Sequence, residues 1–382
     1  MNIKFVIDVD PEAKTGLYNA VEEKIKYWGG GEIYNITYYD SCFLKITKLF
    51  FKKKTKKKIP LEYFANSKVK NIYIKQGVLS SIGKRLKYLH TFIHQKDSKL
   101  LRKAIGDKPA LLSAHWGITA GILARYATMK TKHHYTITCH GSDVHTYPKK
   151  NKYLKEELIK ALSDSQSCIF VSSGLKKEAK AIGFSTKNSN VIYNGINTCR
   201  FKNRTKKFNF KRIGFIGNLF KIKGADIFAR VCALLERQQR GLKYVVIGDG
   251  EQREYMKTTM PACKSTFLGK VKPEDIPDIL STIDLIVIPS RKEGLSLVAL
   301  EAQAAGVKVV ASDVGGLPEA VGQDNVVPFS ESDNFEVLLA NKIFETLQKF
   351  HPVSLPDQFD LSVTKKEELD HFHKIYSHCF NK

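Results

Sequence analysis

Apolar residues recur along this chain in short runs, and between the runs they recur every three to four positions. The runs stand at residues 3–9, 32–39, 69–74, 110–115, 135–140, 167–171 and 190–193. Short apolar runs predict buried strands, and a 3.6-residue spacing predicts the helices that cover them, the first at residues 17–28. Strands alternating with helices imply a mostly parallel sheet covered on both faces. An Asn194-Gly195 turn and the polar, basic stretch 197–211 then read as a linker. A second series follows at 212–217, 244–250, 265–269, 285–289, 307–312 and 325–329. From Leu361 onward a charged, aromatic segment keeps helical periodicity with no strand after it. The pattern predicts two doubly wound α/β domains, over 1–198 and 199–360, and a terminal helix over 361–382 that packs back toward the first domain.

Length agrees with two domains, because 382 residues exceed what a single core usually holds. No apolar run approaches the ~20 residues needed to span a bilayer. The opening residues read as a buried strand rather than a secretory leader, so the expected location is the cytoplasm. Seven scattered cysteines without a C-x-x-C spacing argue against a disulfide framework or a zinc site.

Charge changes the picture more. Residues 1–200 carry 36 Lys and Arg against 15 Asp and Glu, a net +21, while residues 201–382 carry 26 against 23, a net +3. The densest piece runs from Lys48 to Lys58, where Phe50 and Phe51 lie among seven lysines, and a second basic stretch covers 84–103. An anionic membrane leaflet, nucleic acid or plain solubility could each account for such charge. No helix-turn-helix, RNP-type or zinc-finger pattern accompanies it, so the expected partner is a membrane surface on the cytoplasmic side, with no nucleic acid.

The candidate chemistry centres on residues 284–306. A buried strand, Leu285–Ile288, ends at Pro289, and a polar loop feeds Glu293-Gly294 into a helix that Gly306 closes. The helix start near Gly294, Leu295 and Ser296 offers unpaired N–H groups to a phosphate. Glu301 lies roughly 7.5 Å further along the axis, at 1.5 Å per residue. A nucleoside diphosphate could stretch between them, with ribose at Glu301 and Glu293 facing what the diphosphate carries. A surface helix with two solvated glutamates is the plain alternative.

Ligands of parallel sheets bind beyond the carboxyl ends of the strands, which brings in the residues after other runs. His115-Trp116, His140-Gly-Ser-Asp143, Gly217 to Gly224 and Gly248-Asp-Gly250 all stand there. Each has an ordinary reading as a packed histidine or a glycine turn. Gly214-Phe-Ile-Gly217 lacks the G-x-G-x-x-G spacing of dinucleotide sites, so no nicotinamide or flavin is expected. Asp8-Val-Asp10 reads as a strand end rather than a metal-holding pair.

As a set, these residues resemble the retaining glycosyltransferases of the GT-B fold, glycosyltransferase family 4, over nearly the whole chain. The strongest match is 290–306, where that family's Glu-x7-Glu pair falls on Glu293 and Glu301, followed by 309–319. Tyr193-Asn-Gly-Ile-Asn197 with Phe201, Ile247-Gly-Asp-Gly250, Phe267-Leu-Gly-Lys-Val271 and His140-Gly-Ser-Asp143 follow the same family pattern. The resemblance implies two Rossmann-like domains facing across a cleft, the nucleotide-sugar donor in the second and the acceptor in the first. It assigns Lys223 and the helix start to the phosphates in place of a metal, Glu293 to the sugar, Glu301 to the ribose and His140 to orienting the sugar. Gly217, Asn218 and Gly248 would line the donor, and the base would stack near Lys270 and Val271. Gly16, His115 and Asp143 are expected on the acceptor side. The implied activity is retaining, metal-independent transfer of a hexose or N-acetylhexosamine, from UDP in the first instance, to a lipid-linked or membrane-anchored glycan. A sucrose-, trehalose- or glycogen-synthase-like transferase and a non-catalytic basic protein on the same shell are the rival readings. The chain departs from the family in two places. Asn218 stands where relatives carry an arginine, leaving Lys221 or Arg291 to supply that charge, and residues 10–16 lack the usual Gly-Gly pair.

Overall fold

Each apolar run forms a strand, and the central ones, such as Leu111–His115, Leu285–Ile288 and Lys308–Ser312, are buried on both faces because helices cover both sides of the sheet, while the outer strands Ser67–Gln76 and Ser265–Gly269 are only partly buried. The computed structural model describes residues 1–10, 16–29, 31–41, 44–45, 48, 56–77, 87–201, 212–238, 241–349 and 353–380. The chain divides into two compact units, one of Met1–Val171, Leu175–Ile192 and Lys365–Lys382, the other of Ser172–Gly174 and Tyr193–Thr364.

The first unit holds β1 (Ile3–Ile7), β2 (Glu32–Asp40), β3 (Tyr63–Phe64), β4 (Ser67–Gln76), β5 (Leu111–His115), β6 (His134–Cys139), β7 (Ser167–Phe170) and β8 (Ser189–Val191). They lie in the order β3-β4-β2-β1-β5-β6-β7-β8, all parallel except β3 against β4. The antiparallel pair is not legible in the apolar pattern. A two-residue strand is too short to show a period, and its turn uses Ala65 and Asn66 at φ 52° and 62° in place of a glycine.

The second unit holds β9 (Arg212–Ile216), β10 (Lys243–Ile247), β11 (Ser265–Gly269), β12 (Leu285–Ile288), β13 (Lys308–Ser312) and β14 (Val326–Val327), in the parallel order β11-β10-β9-β12-β13-β14. Strand order reverses between β1 and β5 in one unit and between β9 and β12 in the other. In sheets of this kind the loops leaving such a pair of strands diverge to opposite faces, and ligands bind at that point.

The helix Leu361–Phe380 carries its later residues into the first unit. Lys24 and Glu368 form an ion pair at 3.0 Å with both side chains almost wholly buried. Neither charge is tolerable there without the other. Trp28 meets Phe372 edge-on at 5.3 Å, and Ser167 Oγ lies 2.9 Å from His371 Nε2.

Most of the lysine-rich tract, residues 49–55, falls outside the described residues. Of its ends, Lys48 pairs with Asp40 at 2.8 Å and Lys58 lies over the Tyr73 ring at 4.2 Å. The second basic stretch forms the helix Lys87–Ile105. Arg102 donates to the carbonyls of Tyr126, Ala127 and Met129, satisfying the end of the helix Ile122–Thr128. On the outer face Phe92, Gln95, Lys96, Lys99, Leu100 and Lys103 follow one another at helical spacing, all exposed. Among the described residues no helix is long and apolar enough to cross a membrane.

Candidate active site

In the second unit the loop after β9 and the loop after β12 pack backbone to backbone. The turn Lys221–Lys223 ends at Gly224, whose φ of 73° suits glycine and whose added Cβ would lie 1.9 Å from the Pro289 carbonyl oxygen. Arg291 N–H closes the contact by donating to Ile222 O at 2.9 Å. The packing brings together two side chains far apart in sequence: Lys223 Nζ donates to both carboxylate oxygens of Glu293, at 3.0 and 2.7 Å. Ser290 Oγ adds a bond to Glu293 at 3.3 Å. From the other side Gly315, at φ 55°, presses on Glu293, and a Cβ there would lie 1.7 Å from its carbonyl oxygen.

Gly294, Leu295 and Ser296 are buried and lead into the helix Leu297–Ala304. Ser296 caps it by accepting from the Ala299 N–H at 3.3 Å, and Ser172 Oγ anchors the Gly294 carbonyl at 2.7 Å. The other first-turn N–H groups have no partner within the helix, which leaves an anion-binding end directly after Glu293. Glu301 lies on this helix. Part of the residue is accessible, yet its surroundings desolvate the carboxyl and push it up to about 7, against the opposing field of Arg200.

Gly217 and Gly248 leave β9 and β10 side by side, Gly217 N–H donating to Ile247 O and Gly248 N–H to Gly269 O. Asn218 and Lys270 are exposed, and Val271 is half-buried after β11. The idea that Arg291 could replace the missing arginine at position 218 is corrected here. Its guanidinium is held by Asp226 at 2.8 and 2.9 Å, by Glu331 at 2.8 and 3.1 Å and by the Lys221 carbonyl, so its charge is already spent. Its signal in the sequence was hidden, because the carboxylates that claim it lie 65 and 40 residues away.

In the first unit His115, at the end of β5, and His140, just past β6, stack at 5.5 Å, with His115 Nδ1 3.3 Å from His140 Nε2. Burial lowers His115 to about 3 and takes His140 well below the ordinary histidine range, with the Lys24 cation adding to both. Both rings are therefore neutral at pH 7, one donating to the other. Among the described residues His140 Nδ1 is buried with no protein partner. His115 and Asp143, expected to meet an acceptor, are both buried. The Asp143 carboxylate accepts from the N–H groups of Gly117, Gly141 and His140 at 2.9, 2.8 and 3.2 Å. It shapes the loop that carries His140 and has no free face of its own. Trp116, between these loops, adopts φ 85°, a conformation costly for a large side chain and common where function fixes the backbone. Gly16 opens the helix Gly16–Tyr27, and residues 11–15 before it lie outside the described residues.

Among the described residues no group of three or more His, Cys, Asp and Glu could hold a metal ion. What the second unit offers an anion is Lys223 and a helix N-terminus. What it offers a sugar or ribose is the pair of acids on either side of that terminus.

Residues 61–200 match the family described as Glycosyltransferase Family 4, and residues 210–349 match glycosyl transferases group 1. A Bacillus subtilis (strain 168) protein named as the teichuronic acid biosynthesis glycosyltransferase TuaC is 32% identical over 227 residues, 56% of either chain. The chain spans about half the length of the curated relatives it matches. The Anabaena protein Alr3699/HepE in complex with UDP superposes with a TM-score of 0.66 at 15% identity, over 98% of this chain and 100% of that one. The lipopolysaccharide outer core galactosyltransferase WaaB does so with a TM-score of 0.64 at 16% identity, over 98% and 99%. At those identities the two structures speak for the fold, a GT-B pair of Rossmann-like domains. With one match over each half and that fold, the chain belongs to glycosyltransferase family 4, the glycosyl transferases of group 1.

Proposed function

We propose that the protein is a retaining glycosyltransferase that moves a hexose or N-acetylhexosamine from a UDP-sugar to a lipid-linked or membrane-anchored glycan. The observation that carries this reading is the Lys223–Glu293 pair at 2.7 Å, set beside the start of the helix Leu297–Ala304 where the strand order reverses. Without a donor the two charges neutralise each other. A diphosphate would take over Lys223 and the first-turn N–H groups, and Glu293 would be released to the sugar hydroxyls.

The chemistry follows from where charge develops. The bond from the anomeric carbon to the phosphate oxygen breaks, and its electron pair stays on UDP, where Lys223 and the helix dipole stabilise it. The acceptor hydroxyl oxygen bonds to the anomeric carbon on the face the phosphate leaves, and its proton passes to the departing phosphate oxygen. Retention, UDP and the glycoside account for every atom. Glu301 would accept from the ribose hydroxyls, and neutral His140 would orient the sugar. Lys223 and the helix start occupy the place of a metal in this scheme, so none is required.

Two observations support the acceptor class. TuaC is named for teichuronic acid biosynthesis and WaaB for the lipopolysaccharide outer core. The outer face of Lys87–Ile105 combines exposed lysines with Phe92 at 61% and Leu100 at 47% exposure, a combination suited to lying on an anionic leaflet from the cytoplasmic side. A melting-temperature panel of UDP-, GDP- and ADP-sugars tests the donor. Ligand at a hundred times its Kd adds about 2.7 kcal/mol, roughly 5–10 °C for a unit of this size. If no nucleotide sugar raises the melting temperature or is turned over, the enzyme reading fails. Turnover of free sugars without lipid would favour a sucrose- or glycogen-synthase-like acceptor instead.

A further inference from the structure

Ser113 and His115 stand two residues apart on β5, so their side chains share one face of the sheet. Both are buried, and they form a row with His140. Ser113 Oγ lies 3.5 Å from His115 Nε2, and His115 Nδ1 lies 3.3 Å from His140 Nε2. Each contact needs one hydrogen and one lone pair, so the facing nitrogens of the two rings cannot both be protonated. Burial keeps both rings neutral, and the neighbouring Lys24 cation acts in the same direction. Lys24 is itself paired with Glu368, and the Asp143 carboxylate accepts from the N–H groups of Gly117, His140 and Gly141. Among the described residues no carboxylate is bonded to either ring.

Two placements of the hydrogens satisfy the row. In the first, His140 donates from Nε2 to His115, and His115 donates from its own Nε2 to Ser113. The Ser113 hydroxyl hydrogen then needs another acceptor, and among the described residues Ser113 Oγ has no partner but His115. In the second, Ser113 donates to His115 Nε2, and His115 donates from Nδ1 to His140 Nε2. Every hydrogen inside the row then has an acceptor. The first placement strands a buried hydroxyl hydrogen as well as the His140 Nδ1 lone pair, whereas the second leaves a single group unmatched, the N–H at His140 Nδ1.

We propose that His115 is a positioning residue that holds His140 in its Nδ1–H tautomer, through hydrogen bonds running from Ser113 to His115 and from His115 to His140, so that His140 presents a donor to the sugar. The proposal rests on the reading above in which His140 orients that sugar. An outward N–H donates to a hydroxyl oxygen, whereas an outward lone pair could only accept. A free imidazole holds more of its proton on Nε2, so this tautomer persists because a donor faces that nitrogen.

The test is proton–nitrogen NMR of the full chain with labelled histidine, at neutral pH and without donor, the His140 signals being identified by their loss in His140→Gln. The expected pattern in wild type is a protonated Nδ1 and an unprotonated Nε2 on His140. The opposite pattern overturns the proposal whatever the enzyme does. Two variants separate the hydrogen bond from packing. His115→Asn can place an amide N–H where Nδ1 stood but leaves a gap, and His115→Phe fills the space but has no donor. In His115→Phe the His140 proton moves to Nε2, and in His115→Asn it stays on Nδ1. Release of UDP from the best UDP-sugar of the panel above follows the same order: His115→Asn recovers kcat to within about threefold of wild type, while His115→Phe falls roughly tenfold, the worth of one neutral hydrogen bond, with little change in KM. A packing role predicts the reverse order, so His115→Phe matching or exceeding His115→Asn in kcat overturns the proposal. Melting curves show whether the variants are folded. If His115→Phe is not, Ser113→Ala takes its place, and an unchanged His140 tautomer in Ser113→Ala counts against the row. If wild type turns over no UDP-sugar, the donor reading falls, and the NMR pattern still decides the tautomer.

Discussion

Replacing Lys223 by Met separates what this cation contributes to the fold from what it contributes to the reaction. The Lys223 side chain is 36% exposed and that of Glu293 is 11%. A pair this open contributes about 0.2–1 kcal/mol in the absence of donor. Losing the lysine also leaves a mostly buried carboxylate with the Ser290 hydroxyl alone, which raises the cost to about 1–2 kcal/mol. At roughly 2–4 °C per kcal/mol for a unit of this size, the melting temperature should fall by about 2–8 °C. In the transition state the same ammonium faces charge arriving on the diphosphate, where one such donor contributes about 3–4 kcal/mol, or 10²–10³ in kcat. The measurement pairs initial rates on the best UDP-sugar with thermal melts. Glu293→Gln serves as the comparison, because it frees Lys223 while leaving an amide to bond with it. If Lys223→Met keeps kcat within about threefold of wild type, Lys223 does not serve the leaving phosphate and the mechanism above is wrong.

Other expected outcomes follow from the same geometry. Transfer should proceed at full rate in EDTA, and strict dependence on an added divalent ion would contradict the work given to Lys223 and the helix start. Changing Lys96, Lys99 and Lys103 to Gln should weaken flotation with anionic vesicles about a hundredfold, at ~1 kcal/mol per lysine, while turnover on a soluble acceptor persists; equal loss of both would count against a membrane face. Asp143→Ala strands three N–H groups beside His140 and should cost about 3 kcal/mol, seen as a melting temperature lower by roughly 6–12 °C. Asp143→Asn, which can still accept, should lose much less, and a pair of variants that melt alike would show that the loop is held by something else.

The central strands were legible because a doubly covered sheet makes them continuous apolar runs: Leu285–Ile288 and Lys308–Ser312 stand where their patterns put them. The helix start near Ser296 was legible for a similar reason, since a helix end is set by bonds between near neighbours in sequence. Less of the first unit's site could be read. Asp143 was taken for an acceptor contact, and only burial and three backbone donors show that it shapes the loop. Arg291 looked available for phosphate until Asp226 and Glu331 were seen to claim it.

What the sequence determined by itself is therefore local: where strands and helices lie, where a helix begins, and which acids, lysines and histidines follow the strands. Those depend on apolar period and on bonds spanning a few residues. Tertiary structure decided which charges are free. Lys223 meets Glu293 across 70 residues and Lys24 meets Glu368 across 344, contacts that no spacing encodes. The physical reason is that a charge acts through its distance to partners and its loss of water, both set by packing. That is why the Glu301 carboxyl, marked in the sequence only by its place in the Glu-x7-Glu pair, is pushed up to about 7 by the desolvation that packing imposes.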